Sequence, residues 1–395
     1  MKREIGTKQL VSRLHPQMDI SIRRFLGNVL AAPEQLRDHI RRDVVGFMLN
    51  FAYGYNMAPH GEDAFYELTQ KAVSQFGQIF SDMNWAVNHV PALQYLPAWF
   101  PGAQFVRKAA EFRRCTREFT ELPPKFVKYK MAQENFQPSM LSRMLQEDAP
   151  EPDSEQETAM LWSTIEVYLG GAETNASGMM SFIIAMALYP EVQRKAQEEL
   201  DRIVGHATLP GFEHRASLPY INAIVKETLR WRPPSPVATP HVAGADLIWN
   251  GYSIPKGSYL VANIGTFTRD PAIYTQPMTF RPERFLEEDN HTPEVDPKKY
   301  VFGFGRRLCP GRFLADDRLF LFAARFLACF NTAPRGSGPG SAEPKWLPGI
   351  ITHPEPFDMK IEPRSLEHGG LIRSSGMEME SWGVNDAEDF AKMTL

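Results

Sequence analysis

The sequence FGFGRRLCPG, Phe302–Gly311, places one cysteine in a glycine-rich loop directly before an apolar segment, Phe313–Phe330. Gly303 and Gly305 allow the backbone to turn tightly, and a helix can begin close behind the loop. A thiolate at Cys309 would lie among backbone N–H groups and beside a helix N-terminus, and both lower the pKa of a thiol. The loop therefore predicts a sulfur atom that stays anionic.

The spacing within this loop resembles the haem-binding loop of the cytochrome P450 family. The matching positions are Phe302, Gly305, Arg307, Cys309 and Gly311. The resemblance implies that Cys309 is the axial ligand of the iron of haem b, with an electron donation that favours O–O cleavage. It also implies that Arg307 binds a haem propionate, since a planar cation matches a carboxylate. A free structural cysteine in a glycine-rich turn is the alternative, and five matched positions disfavour it.

Composition excludes several classes of protein. The chain has 395 residues and a formal net charge of -4, so its charge does not indicate a nucleic-acid-binding protein. Three cysteines, Cys115, Cys309 and Cys329, are too few for a disulfide framework and suit a reducing compartment. No apolar run reaches the roughly 18 residues that argue for a membrane span. The basic N-terminus lacks the apolar stretch of a signal peptide.

Helical periodicity dominates residues 1–150, and strand signals are confined to short segments. One of these segments is a hairpin with a turn at Asn250–Gly251. The sequence therefore predicts a mainly α fold with small β-sheets. Together with the resemblance, it predicts one partial cytochrome P450 domain over residues 1–364. The polar and acidic tail, residues 365–395, is expected to be disordered.

A long apolar run over residues 154–188 begins at a capping-box pattern, Ser154 with Glu157, and ends before Pro190. It predicts a helix that is buried through the middle of the domain. Its centre, GGAETN over 170–175, contains two glycines that cost about 2 kcal/mol relative to alanine. Such violations are expected where function outranks stability. The pattern predicts either a locally opened helix whose Thr174 hydroxyl faces a ligand, or close helix packing through small residues.

The cytochrome P450 resemblance extends to this helix centre. The distal helix of the family carries a similar signature, in which Thr174 matches the threonine that contacts oxygen. Glu173 matches the acid that helps to deliver protons. Asn175 stands where a second Thr or Ser is usual, and Gly170 where Ala is common. Neither departure removes a group that the implied chemistry needs.

Two further motifs resemble the same family, in the same order along the chain. Glu227 and Arg230 lie three residues apart on one predicted helix face, and Arg284 follows in the segment Pro282–Phe285. The resemblance implies a buried structural network of these three charged residues that fixes the core around the haem loop. His241 lies where the family often has a His or Arg that binds a haem propionate, although a lone histidine can also be an ordinary loop residue.

The resemblance covers residues 8–364 and is closest in appearance to fungal enzymes of secondary metabolism. Members of the family begin with a membrane-anchor helix, the first strands of the main sheet, and a helix whose Trp and Arg hold a propionate. We expect these parts to be absent before Met1. The short chain, expressed alone, is then expected to be poorly soluble and deficient in haem.

These features imply a haem-thiolate monooxygenase that oxidises a lipophilic small molecule with O2. Electrons are expected from NADPH–cytochrome P450 reductase, docked where Lys298, Lys299, Arg306 and Arg312 supply positive charge. The family implies the endoplasmic reticulum membrane, and a chain without an anchor implies the cytoplasm. The aromatic, proline-rich segment 89–105 is either a self-packed loop, an apolar lid or a peripheral membrane contact. The alternative function is an inactive truncated fragment that does not retain haem.

Overall fold

The computed structural model describes residues 1–58, 61–79, 85–133, 136–287, 292–335, 344–377 and 385–394. Within these ranges the chain is mainly helical and its strands are short, which confirms the predicted fold class. The chain divides into two compact units. The first unit contains Met1–Gly6, Arg41–Glu173 and Met377–Leu395, and the second contains Thr7–Ile40 and Thr174–Gly376.

Long helices form most of the first unit. They are the greater part of α4 (Leu36–Tyr53), α5 (Ala64–Ile79), α7 (Gln104–Met131), α8 (Met140–Asp148), the first part of α9 (Glu155–Leu188) and α16 (Ala387–Thr394), beside the short helices α1 (Lys2–Ile5) and α6 (Ala86–His89). The predicted cap of α9 is present, because the Glu157 N–H donates to the Ser154 hydroxyl at 3.2 Å. The Glu157 carboxylate reaches one residue further back and accepts the Asp153 N–H at 2.7 Å.

The second unit combines helices with paired strands. Its helices are α2 (Lys8–Ser12), α3 (His15–Ala31), the remainder of α9, α10 (Pro190–Ile203), α11 (Pro219–Trp231), α12 (Ile264–Phe267), α13 (Lys298–Val301), α14 (Arg312–Cys329) and most of α15 (Leu366–Met377). Its strands are β1 (His241–Val242), β2 (Leu247–Trp249), β3 (Tyr252–Ile254), β4 (Tyr259–Leu260), β5 (Phe330–Pro334), β6 (Trp346–Leu347), β7 (His353–Pro354) and β8 (Met359–Pro363). The antiparallel pairs are β1 with β4, β2 with β3, β5 with β8 and β6 with β7.

The predicted hairpin is the pair β2–β3. Trp249 lies opposite Tyr252, so the turn consists of Asn250 and Gly251. Their φ angles are 49° and 83°, which are the left-handed values that an Asn-Gly turn of this kind requires.

Helix α14 follows the cysteine loop and is largely buried. Its rings Phe322 and Phe326 pack against Phe182 of α9, with centroids 5.8 and 6.1 Å apart. Arg325 is buried, and its guanidinium forms an ion pair with Asp19 of α3. The guanidinium also donates to the Pro210 carbonyl at 2.9 Å. These contacts fix the position of α14, the helix that begins where the cysteine loop ends.

The tail differs from its prediction. Residues 365–395 include α15 and α16, and Phe390 of α16 is fully buried in the first unit. The prediction of disorder is therefore wrong for residues 365–377 and 385–394, while residues 378–384 and 395 lie outside the described residues. The polar composition predicts disorder, but one buried ring and a few ion pairs order the short helix α16.

Crossing a bilayer requires a helix that is both long and apolar, and the described ranges contain no helix that is both.

Candidate cofactor site

The cysteine loop is a tight turn with defined hydrogen bonds. Gly303 and Gly305 adopt φ angles of 79° and 59°, which are strained for residues that carry a Cβ. The Cys309 N–H donates to the Phe302 carbonyl at 2.8 Å. The Leu308 N–H donates to the Gly305 carbonyl at 3.2 Å. The loop residues that the sequence singled out are thus brought together, and Gly311 is the N-cap of α14.

The electrostatics of Cys309 differ from the prediction. Burial raises the pKa of its thiol, and the Gly311 N–H and the Arg312 charge lower that pKa by less. The prediction that the loop alone keeps the sulfur anionic is therefore wrong, because one N–H and one cation do not outweigh removal from water. A metal cation deprotonates a coordinating thiol outright. The loop presents a half-buried sulfur that is suited to such a cation.

Open space at Gly305 and the exposed Arg307 fit a cofactor that carries carboxylates. A Cβ added at Gly305 would meet no atom within 4 Å, so the backbone borders open space there. Arg307 is exposed, and its side chain has no hydrogen bond or ion pair within the described ranges. His241, on β1, is also exposed. Its ring likewise has no hydrogen bond or ion pair within the described ranges. Both side chains therefore have donors available for carboxylates.

The two glycines at the centre of α9 have different surroundings. All residues of Glu155–Leu188 are helical, so the expected local opening does not interrupt the helix. A Cβ at Gly171 would overlap the side chain of Met48, whereas a Cβ at Gly170 would meet nothing within 4 Å. Gly171 thus serves close packing, and Gly170 borders open space.

Glu173 and Thr174 follow these glycines on α9. Glu173 ends the segment of α9 that belongs to the first unit, and Thr174 begins the segment that belongs to the second. The Glu173 residue is 8% exposed, and Thr174 is half-buried. They are thus neighbours in the chain, and each is largely removed from solvent.

The predicted charged network is present in the second unit and is completely buried. Arg230 donates from Nε and Nη2 to the two Glu227 oxygens, each at 2.7 Å. Arg284 Nε lies 3.1 Å from Glu227 Oε2, and the side chains of all three residues are 0% exposed. Burial raises the pKa of Glu227, and the two guanidiniums and the Arg281 N–H oppose that shift.

The network extends to groups that the sequence did not indicate. Arg230 Nη1 donates to the carbonyls of Thr268 and Pro277 at 3.0 and 2.7 Å. Arg284 Nη1 donates to Glu294 Oε2 at 2.7 Å. Glu294 lies in a loop without a recognisable motif, so no sequence signal could have identified it.

Only part of the predicted basic surface is available to a docking protein. Lys298 Nζ lies 2.5 Å from Asp316 Oδ1, and Arg312 donates to the Cys309 carbonyl at 3.3 Å. Lys299 and Arg306 are exposed, and within the described ranges their side chains have no ion pair. Asp316, which no sequence motif indicates, lies one turn into α14, and its carboxylate forms the ion pair with Lys298.

Comparison with known proteins gives consistent matches. The model of the family described as Cytochrome P450 matches residues 7–361. An O-methylsterigmatocystin oxidoreductase of Aspergillus flavus is 50% identical, over 99% of this chain and 74% of that protein. A cytochrome P450 monooxygenase of Aspergillus oryzae is 39% identical, over 100% and 75%. A zebra fish cytochrome P450, solved with abiraterone, superposes with a TM-score of 0.71 at 23% identity, over 92% of this chain and 81% of that chain. The last match supports the fold alone.

Proposed function

This chain belongs to the cytochrome P450 family, and on that premise we propose that it oxidises a lipophilic small molecule, with Cys309 as the axial ligand of its haem iron. The family consists of haem-thiolate monooxygenases, so the chain is a haem-dependent monooxygenase of fungal secondary metabolism. The match over residues 7–361 does not favour the alternative of a fragment without haem. The observation that carries the proposal is the closed loop in which the Cys309 N–H is held by the Phe302 carbonyl.

Each loop residue has a distinct proposed task. Haem, when bound, supplies the iron that reduces and activates O2. Gly303 and Gly305 allow the backbone to present the Cys309 sulfur, and the Gly311 N–H donates to that sulfur. Arg307 and His241 offer donors to the two propionates. A guanidinium binds a carboxylate through a pair of parallel hydrogen bonds, so Arg307 is the stronger of the two partners.

Glu173 and Thr174 are proposed to handle protons. Thr174 carries a hydroxyl that can both accept and donate a hydrogen bond. Glu173 is a buried carboxyl that can donate a proton when it is neutral and accept one when it is charged. A carboxyl and a hydroxyl of this kind can each exchange a proton with a bound reactant.

Thr174→Ala tests this assignment. We expect an unchanged haem content but a lower ratio of product to NADPH consumed, with the difference released as hydrogen peroxide. The matched control is Thr164→Ala, because Thr164 is a buried threonine of the same helix whose hydroxyl donates to the Met160 carbonyl at 3.0 Å. Equal coupling in Thr174→Ala and the parent would assign Thr174 to packing.

One compound provides the first test of the substrate class. O-methylsterigmatocystin is the compound in the name of the relative from Aspergillus flavus, and we propose it as the first ligand to try. Titration into the haem-loaded protein is expected to change the Soret band saturably, and turnover should give an oxidised product. A hydrophilic sugar is the control. A panel of lipophilic compounds that gives neither a saturable change nor a product would contradict the proposed class.

NADPH–cytochrome P450 reductase is the proposed electron donor. Lys299 and Arg306 are the support, since they remain exposed near the loop while Lys298 and Arg312 are engaged. Rim charges mainly affect association rates and their salt dependence. Charge reversal at Lys299 and Arg306 should therefore slow reduction more at low salt than at high salt. An unchanged rate at both salt concentrations would exclude this docking surface.

Segment 89–105 is proposed to contact the endoplasmic reticulum membrane surface. Tyr95 and Trp99 are 82% and 79% exposed, and Val90 and Phe100 are 51% and 44% exposed. Tyrosine and tryptophan favour the interface between headgroups and acyl chains. Replacing Tyr95 and Trp99 by alanine should weaken binding to phosphatidylcholine vesicles, whereas replacing Trp162, 49% exposed, should not. Equal binding of all variants would mean that the segment is a self-packed loop and not a membrane contact.

A further inference from the structure

The C-terminal helix α16 is built into the aromatic core of the first unit, although it lies beyond residue 361, where the family match ends. The Phe390 ring is fully buried. It stacks on Phe65 of α5 with centroids 4.4 Å apart and an interplanar angle of 6°. The edges of Tyr55 and Phe126 close its sides, with centroids 5.7 and 6.1 Å away. One ring of the tail thus joins three other segments of this unit.

Buried polar contacts fix the start of the same helix. Asp386 is 3% exposed, and its carboxylate accepts the Asn56 N–H and a Lys130 Nζ hydrogen, each at 2.8 Å. The Asp386 N–H in turn donates to the Asn56 carbonyl at 3.0 Å. Lys130 Nζ also lies 3.5 Å from Asp389. The helix is therefore held by the Phe390 ring near its middle and by charge-assisted hydrogen bonds at its start.

A short chain of contacts leads from α16 to the centre of α9. The Thr69 hydroxyl donates to the carbonyl of Phe65, the residue on which Phe390 stacks, at 2.8 Å. The Tyr168 hydroxyl lies 2.5 Å from the Thr69 oxygen. Since Thr69 donates to Phe65, the Tyr168 hydroxyl donates to Thr69. Tyr168 is fully buried and lies five residues before Glu173 on α9.

We propose that α16 is a strap that positions Glu173 through Phe65, Thr69 and Tyr168. The proposal rests on the proposed function, in which Glu173 handles protons. Gly170 and Gly171 lie between Tyr168 and Glu173, and glycines weaken a helix interior. This stretch of α9 therefore relies on side-chain contacts to keep its position, and the hydrogen bond between Tyr168 and Thr69 is the one that leads to α16. Phe390 and Asp386 are positioning residues, since they act on α9 through α5 and the Thr69 hydroxyl.

Hydrogen–deuterium exchange of the backbone amides in residues 165–173 tests the strap without relying on turnover. We expect Phe390→Ala to speed this exchange by roughly tenfold, because local opening becomes easier. Phe390→Leu, which restores most of the apolar volume, should recover much of the protection. Lys392→Ala is the matched control, because Lys392 lies on the same helix with a side chain 72% exposed. The amides of α14, in the second unit, report any general loss of stability.

Two results would overturn the strap. One is unchanged exchange in residues 165–173 of folded Phe390→Ala. The other is an equal acceleration in α14, which would mean that the ring only stabilises the whole fold. If Phe390→Ala fails to fold, Asp386→Asn is measured in its place. Faster exchange in residues 165–173 is then expected, and exchange at the parental rate would contradict the proposal.

Coupling of NADPH consumption to product separates the strap from the function on which it rests. Glu173→Gln and Phe390→Ala should both release more peroxide at an unchanged haem content. If Glu173→Gln is uncoupled and Phe390→Ala is not, the strap is wrong and the function stands. If Glu173→Gln couples like the parent, the proposed role of Glu173 fails, and the strap is refuted as a device that positions it.

Discussion

Two polar sites of the second unit differ in how completely their groups are paired. At Glu227, both carboxylate oxygens accept hydrogen bonds from buried guanidiniums, and those guanidiniums are further bonded to backbone carbonyls. At the cysteine loop, the exposed Arg307 and His241 side chains have no partner within the described ranges. A saturated network stabilises the fold and cannot accept a ligand without losing a bond. The loop retains a sulfur and the Arg307 guanidinium that a ligand can engage, and β1 offers the His241 ring.

The largest expected effect comes from removing the sulfur of the loop. Cys309→Ser should abolish the spectrum of thiolate-ligated haem, because a hydroxyl cannot supply the same charge to the iron. Cys329→Ala is the matched control, since Cys329 is fully buried at the other end of α14 and burial raises its pKa to about 12. A thiolate spectrum that survives in Cys309→Ser would remove the basis of the assignment.

Breaking the saturated network should cost stability rather than a ligand. Glu227→Gln leaves Arg230 buried without its countercharge and leaves Arg284 paired with Glu294, and breaking a buried pair in this way typically costs about 3–5 kcal/mol. Denaturant unfolding measures the loss. Glu198→Gln is the control, because the exposed pair of Glu198 with Arg194 is of a kind worth about 0–1 kcal/mol. A loss at Glu227 as small as that of the control would mean that the buried network does not stabilise the core.

A smaller effect is expected from Arg307 of the loop. Arg307→Leu should weaken haem retention by roughly tenfold to a hundredfold, since a hydrogen bond to a charged group is worth about 1.5–3 kcal/mol. Arg307→Lys should recover part of the loss, because it keeps the charge but not the paired geometry. Haem transfer to apomyoglobin measures the rate of loss. Arg306→Leu is the neighbouring control, and equal losses in the two leucine variants would exclude a specific propionate contact.

The sequence predicted the parts of the molecule that depend on local motifs. The loop from Phe302 to Gly311 and the pair Glu227 and Arg230 could be placed because their spacing along the chain fixes their geometry. Asp316 and Glu294 could not, since each meets its partner only through tertiary contacts. The two glycines at 170 and 171 have the same sequence signal, yet Met48 packs against only one of them.

The tail shows why composition alone misleads at the end of a chain. Residues 385–394 are rich in polar residues, so their sequence predicts disorder. The helix is ordered because one ring, Phe390, enters a cluster of rings contributed by α5, α7 and the segment after α4. That cluster is assembled by residues more than 250 positions away in the chain, and no pattern within the tail reveals it.

The central claim is that Cys309 holds haem iron as a thiolate, and the ferrous–CO difference spectrum of the haem-loaded protein tests it most directly. The structure alone leaves the Cys309 thiol with a raised pKa, so the claim requires the iron to complete its deprotonation. We predict the strongly red-shifted Soret band of a thiolate-ligated ferrous–CO complex at neutral pH. A haem-loaded protein that shows only the unshifted band of a neutral axial ligand would contradict the account.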